Sequence, residues 1–173
     1  MTTICIAVDR SGSMRGEPYQ ACRLAFEMLV SEAATVPGLT LAVVSFALEA
    51  MHIDCGASNM PSFPDAPIVA MPSRLAPALR LLDSEIERAV PACGPTAIVP
   101  VFVITDGGIS DSDEVGAEMF KGSQGQNHRF IAMYAGPRWR KLTHRAWSKH
   151  ILIDQLDRMQ IASLLRDTLS NTT

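Results

Sequence analysis

Two stretches of β-strand length, Ile4-Cys5-Ile6-Ala7-Val8 and Val101-Phe102-Val103-Ile104, are apolar without interruption. Each runs into a carboxylate, Asp9 in the first and, after Thr105, Asp106 in the second. A strand with one wet face alternates apolar and polar residues, whereas a continuous run is buried on both faces, as in a parallel sheet covered by helices. Ligands of open α/β sheets gather beyond the carboxyl ends of the strands, so two strand-end carboxylates can converge on one point. Ser11 and Ser13 follow Asp9 around Gly12, which is expected to let the loop curl so that both hydroxyls point inward. An anionic oxygen with two neutral ones suits a hard cation such as magnesium. Asp-x-Ser alone is an ordinary capped turn; the second strand-end carboxylate turns it into a candidate metal site.

Asp9-Arg10-Ser11-Gly12-Ser13-Met14, followed by Thr105-Asp106-Gly107, resembles the metal-ion-dependent adhesion site of von Willebrand factor type A (vWA) domains. Met14-Arg15-Gly16-Glu17-Pro18 and Leu75-Ala76-Pro77-Ala78-Leu79 are most similar to the small bacterial tellurite-resistance, TerY-like members. The resemblance implies a Rossmann-like, mostly parallel central sheet with one antiparallel edge strand and helices on both faces. It further implies metal ligands at Asp9, Ser11 and Ser13, with Asp106 as the distal aspartate that holds the ion through water. The family's remaining ligand is a threonine after a glycine pair; Ala70-Met71-Pro72-Ser73-Arg74-Leu75 stands there instead, which makes Ser73 the candidate. Thr96 ranks lower because it directly precedes the Asp106 strand. Magnesium is the favoured ion, since it dehydrates reluctantly and tolerates retained waters, with manganese or calcium as alternatives. A glutamate or aspartate of another protein would complete the coordination, which is binding without turnover. Phosphatase- or kinase-like proteins, in a tellurite- or stress-resistance complex, are the partners that the branch implies.

At 173 residues the chain is expected to form one domain, residues 1–173, long enough to bury a core. Hydrophobic residues at 47% against 19% charged argue against disorder. A formal net charge of −3 gives no global pull toward nucleic acid or anionic membrane. Cys5, Cys22, Cys55 and Cys93 form no Cys-x-x-Cys pair, and Cys5 and Cys22 read as small buried hydrophobes. No apolar run spans a bilayer, and the first residues already read as a core strand, so a cytoplasmic protein is expected.

Strand 3–8 is followed by a helix opened by Gly16-Glu17-Pro18, with Pro18 at its first position, and stopped by Pro37-Gly38. Ala21, Leu24, Ala25, Met28 and Leu29 recur at core-facing helical spacing. A strand over 39–47 precedes a faint edge strand over 49–54 and a loop over 56–67. A helix is predicted over 73–90, with Leu75, Ala78, Leu79, Leu82, Ile86 and Val90 on one face, then a loop over 91–100. After strand 101–105, Ser110-Asp111-Ser112-Asp113-Glu114 reads as an acidic helix start. Strands are predicted at 130–135 and 151–153, a short helix at 138–149, and a last helix marked by Ile161, Leu164, Leu165 and Leu169.

Three other readings compete. Asp9 could be a phosphoaspartate nucleophile, but such phosphatases need a second aspartate two residues on as general acid, and Ser11 stands there. No Gly-x-Ser-x-Gly elbow occurs, and Ser11–Gly16 lacks the lysine of a P-loop, so no enzyme is expected. Arg138 to His150 interleaves basic and aromatic residues, as nucleic-acid-binding segments do. Its tryptophans share a helical face with Leu142 and Ala146, which favours packing on the sheet with a solvated basic face. That face could instead serve a metal-independent scaffold. His52, His128, His144 and His150 have no ligand spacing among themselves, and Met51, Met60 and Met71 read as packing residues.

Overall fold

The computed structural model describes residues 2–53, 61–64, 72–93, 98–125, 128–136 and 147–170. Strands β1 (Thr2–Asp9), β2 (Leu39–Phe46), β3 (Ala50–His52), β4 (Val99–Thr105), β5 (His128–Tyr134) and β6 (Trp147–Leu152) form one sheet in the order β3-β2-β1-β4-β5-β6. Every neighbour is parallel except the β2/β3 pair, which is an antiparallel hairpin at the edge. The expected α/β architecture is therefore the observed one, and β1 and β4 lie side by side at its centre.

Period-two alternation distributes the apolar runs to the two faces. Cys5 and Ala7 of β1, with Val101 and Val103 of β4, pack beneath Leu79, Leu82 and Ile86 of α2 (Ala76–Cys93) and Val115 and Met119 of α3 (Ser112–Gly125). Ile4, Ile6, Val8, Phe102 and Ile104 pack on the opposite face against α1 (Glu17–Ala33) and α4 (Arg158–Ser170). Cys5 and Cys22 are free and buried, and burial pushes both thiols up, so they behave as the small hydrophobes expected. Among the described residues no helix is long and apolar enough to cross a membrane.

Several local expectations change. The buried face of α1 is Cys22, Ala25, Phe26, Leu29, Val30 and Ala33, whereas Leu24 is 57% exposed. Ala21 and Met28 pack only at the margin. Leu24 falls on the side that carries Gln20, Arg23, Glu27 and Ser31, whereas the buried residues make an uninterrupted apolar face. Pro18 takes the second helical position after Gly16, whose φ of +78° is the left-handed conformation that glycine adopts freely. Gly12 has no positive φ and lies in the 3-10 turn Gly12–Met14.

Helix α2 starts at Ala76, not at residue 73, because Ser73 is held extended by a parallel bridge to Ile109. It also runs through Pro91 to Cys93. Proline removes one N–H bond near the helix end, so here it announces the terminus without causing it. Trp147, Ser148 and Lys149 belong to β6, not to a helix: Trp147 pairs with Phe130 and Lys149 with Ile131 across a register shift. Residues 138–146, Thr96, Cys55, Met60, Met71 and His144 lie outside the described residues.

Candidate metal centre

Strand register brings the first two groups together. Val8 is paired with Ile104, so one step further along the same strands Asp9 stands beside Thr105. Thr105 Oγ1 donates to Asp9 Oδ2 at 2.6 Å, and Ser73 Oγ donates to the same oxygen at 2.8 Å. Asp9 Oδ1 accepts the Ser11 N–H at 2.8 Å, which closes the turn after β1. Asp106 repeats that local geometry at the end of β4, where its Oδ1 accepts the Gly108 N–H at 2.9 Å. Between them Gly107, at φ +84°, aims its N–H at Thr105 Oγ1 over 3.0 Å.

The loop after Asp9 is fixed from below and from the side. Met14 is fully buried in the α1 layer, and its N–H bonds the Ser11 carbonyl at 3.1 Å. Arg10 N–H bonds the Phe46 carbonyl at 2.7 Å, tying the loop to β2. Within this frame Ser11 Oγ and Ser13 Oγ lie 3.0 Å apart. Ser73 is anchored by its carbonyl, which accepts both the backbone N–H and the hydroxyl of Ser110 at 2.8 and 2.7 Å. Asp9, Ser11, Ser73, Thr105 and Asp106 are all buried, and Ser13 is half-buried.

Burial is the dominant influence on Asp9 and pushes its carboxyl up from the ordinary range. The hydrogen bonds from Thr105, Ser11 and Ser73 oppose that shift. A buried carboxylate is costly unless charge or donors compensate it. Here three hydroxyls and a backbone N–H supply donors, and among the described residues no cationic side chain is bonded to it, so the residues present fit a bound cation. The oxygen-only donor set selects a hard ion. Among the described residues no three His, Cys, Asp or Glu side chains group to hold a metal ion. The chemistry thus depends on hydroxyls joined to two aspartates.

Of the five expected site residues, Ser73 is bonded to Asp9 and Ser11 to Ser13, while Asp106 follows Thr105, which is bonded to Asp9. Two participants were missed. The sequence pattern marks Thr105 only as the end of a strand, although its place beside Asp106 and the alternation of β4 put it on the Asp9 face. Asp111 belongs by sequence to an acidic helix start, yet its carboxylate accepts the N–H groups of Leu75 and Ala76, each at 2.9 Å. It caps α2 just behind Ser73.

No family model and no curated protein matches the sequence. Solved structures do match in fold. A von Willebrand factor type A protein from Catenulispora acidiphila superposes with a TM-score of 0.57 at 16% identity, over 99% of this chain and 42% of its own. BatB from Bacteroides thetaiotaomicron gives 0.63 at 14% identity, over 99% and 100%. Proximal thread matrix protein 1 from the mussel byssus, with zinc in its MIDAS motif, gives 0.59 at 14%, over 95% and 45%. The chain spans less than half the length of the first and third of these. With its six-stranded mixed sheet and antiparallel edge strand, it has a von Willebrand factor type A-like fold.

Proposed function

We propose that this chain is a divalent-cation-binding protein-interaction domain that recruits a partner through the metal. The observation that carries the reading is the buried Asp9 carboxylate. It is bonded by the Ser73 and Thr105 hydroxyls and followed by the Ser11–Ser13 pair, with a second carboxylate at the adjoining strand end. Asp9, Ser11, Ser13 and Ser73 would hold the ion, with Asp106 acting through water. Magnesium is the first choice, manganese or calcium the alternatives. The zinc-occupied MIDAS of the mussel protein supports a divalent ion at a site of this kind. When bound, the ion supplies positive charge for a carboxylate of the partner.

No step of catalysis is assigned, because Ser11 stands where an aspartate-nucleophile phosphatase needs its general acid. The tellurite-resistance resemblance supports a cytoplasmic role in a stress-response complex with phosphatase- or kinase-like partners. Calorimetric titration of magnesium and manganese into wild type and Asp9→Ala tests the metal. Saturable binding in wild type and none in the variant is the expected outcome. No binding to wild type overturns the reading and leaves a metal-independent scaffold. A pull-down from cell extract then tests recruitment: capture should be lost in EDTA and restored by magnesium, and equal capture in both overturns metal-dependent recruitment.

A further inference from the structure

The end of the sheet away from Asp9 carries a buried imidazole. His128 opens β5; its side chain is fully buried, and neither ring nitrogen has a hydrogen-bond partner among the described residues. A buried polar atom without a partner is destabilising. Asp83 of α2 stands opposite, with its Oδ1 3.6 Å from His128 Nδ1. That separation is too long for a good hydrogen bond. It is close to the spacing of two ligands on one tetrahedral zinc, about 3.4 Å for metal bonds of about 2.1 Å.

The surroundings suit a cation. Burial, then the charges of Glu118 of α3 and of Glu87 one turn along α2, raise Asp83 to about 6. Lys121 opposes them, but Lys121 and Arg80 are themselves bonded to Glu118, at 3.2 and 3.0 Å. Burial lowers His128 from 6.5 to about 4. At neutral pH the imidazole is therefore unprotonated and Asp83 ionised, the forms that a metal requires. The Asp83 side chain is 27% exposed, which gives an ion its way in from solvent.

We propose that His128 and Asp83 form a second cation site, of the zinc class, which clips α2 to the start of β5. Its nitrogen ligand separates it chemically from the oxygen-only loop at Asp9: magnesium and calcium take oxygen, whereas zinc, cobalt and nickel take imidazole. Among the described residues no third His, Cys, Asp or Glu side chain joins the pair, so water completes the coordination. The site stands whether or not the loop holds a metal.

The test is calorimetric titration of zinc chloride at pH 7 into the whole chain carrying Asp9→Asn, which removes the loop carboxylate. The same titration is run with His128→Phe, Asp83→Asn or His52→Phe added. His52 serves as the control because its Nε2 lies 3.4 Å from Glu85 in an exposed pair. Urea unfolding checks that each variant is folded. The expected result is a single zinc ion whose binding is lost with His128→Phe and unchanged with His52→Phe. Asp83→Asn should weaken it at least about tenfold, the least that removing even an outer partner of a metal ligand costs. Imidazole nitrogen spectra should show zinc shifting the resonance that His128→Phe removes. No zinc binding to the Asp9→Asn chain overturns the proposal. So does zinc binding that survives His128→Phe, that is indifferent to Asp83→Asn, or that is lost with His52→Phe.

Discussion

Thr105 donates its hydroxyl to Asp9 Oδ2 over 2.6 Å, although the two residues are 96 positions apart in sequence. The same oxygen of Thr105 accepts the Gly107 N–H at 3.0 Å, so one buried hydroxyl ties the ends of β1 and β4 to the turn after Asp106. Thr105→Val keeps the shape and removes both bonds. It leaves a buried carboxylate short of a donor and a buried N–H without an acceptor, each of which costs about 1–3 kcal/mol. Urea unfolding should show a destabilisation in that range, and Thr105→Ser should recover most of it. Equal stability of the valine variant would mean that water satisfies both groups.

Asp111 is a second contact of the same kind. Its two carboxylate oxygens take the N–H groups of Leu75 and Ala76, donors that no turn of α2 can satisfy. Asp111→Ala should cost about 1–2 kcal/mol, the usual worth of such a cap with its favourable dipole charge. Asp111→Asn offers one acceptor oxygen and no charge, so it should fall between. Chemical denaturation of the three proteins checks the order.

The strands were legible because burial on both faces leaves no polar residue to interrupt the run, and β1 and β4 show that pattern plainly. The Asp9–Asp106 pair followed from it. The face of α1 is legible from its polar residues: Gln20, Arg23, Glu27 and Ser31 share a side with Leu24, which is exposed, and counting apolar residues alone misses this. Strand β6 was hidden by composition: Ser148, Lys149 and His150 are exposed on an edge strand, and only pairing with β5 gives them their conformation. Ser73 was found by position relative to the following helix, although the structure holds it extended and starts that helix later. Thr105 and Asp111 act on residues 96, 36 and 35 positions away. Local pattern carries no record of such distances; strand register does, and it is fixed only by the assembled sheet.

The elevated Asp9 carboxyl links metal binding to pH. Burial raises it above the ordinary value of 3.8, so the stability it contributes is present below that value and is lost as pH rises through the folded-state value. Once ionised, the buried group is a liability that a cation relieves. Magnesium at a hundredfold excess over its Kd should then add about 2.7 kcal/mol, an increment that shrinks in acid as protons compete for the carboxylate. Asp9→Asn removes the charge, and the Ser73 and Thr105 hydroxyls can turn to accept from its amide. The metal-free variant should be at least as stable as wild type at pH 7 and should not respond to magnesium in thermal unfolding. A less stable variant would show that the hydrogen bonds outweigh burial.

At the opposite end of the sheet His128 and Asp83 titrate with opposing signs. The His128 side chain is fully buried, neither ring nitrogen has a hydrogen-bond partner among the described residues, and Asp83 Oδ1 stands 3.6 Å from Nδ1, too far for a good bond. Burial lowers His128 from 6.5 to about 4. Its folded value is depressed, so its contribution to stability is present above 6.5 and is lost as pH falls toward 4, by about 3 kcal/mol. Asp83 is raised to about 6, first by burial and then by Glu118 and Glu87. Its contribution runs the other way, present below 3.8 and lost as pH rises through 6. Between pH 6 and 4 the folded chain gains a proton on Asp83 while the unfolded chain gains one on His128, so the pair leaves stability nearly flat in that window. His128→Phe, which keeps a ring edge-on to Phe130, should make stability rise on acidification relative to wild type. Asp83→Asn should make it fall below pH 6.5. Urea denaturation at pH 7, 6, 5 and 4 reads both slopes, and parallel curves for the three proteins would mean that neither His128 nor Asp83 titrates differently in the folded and unfolded chain.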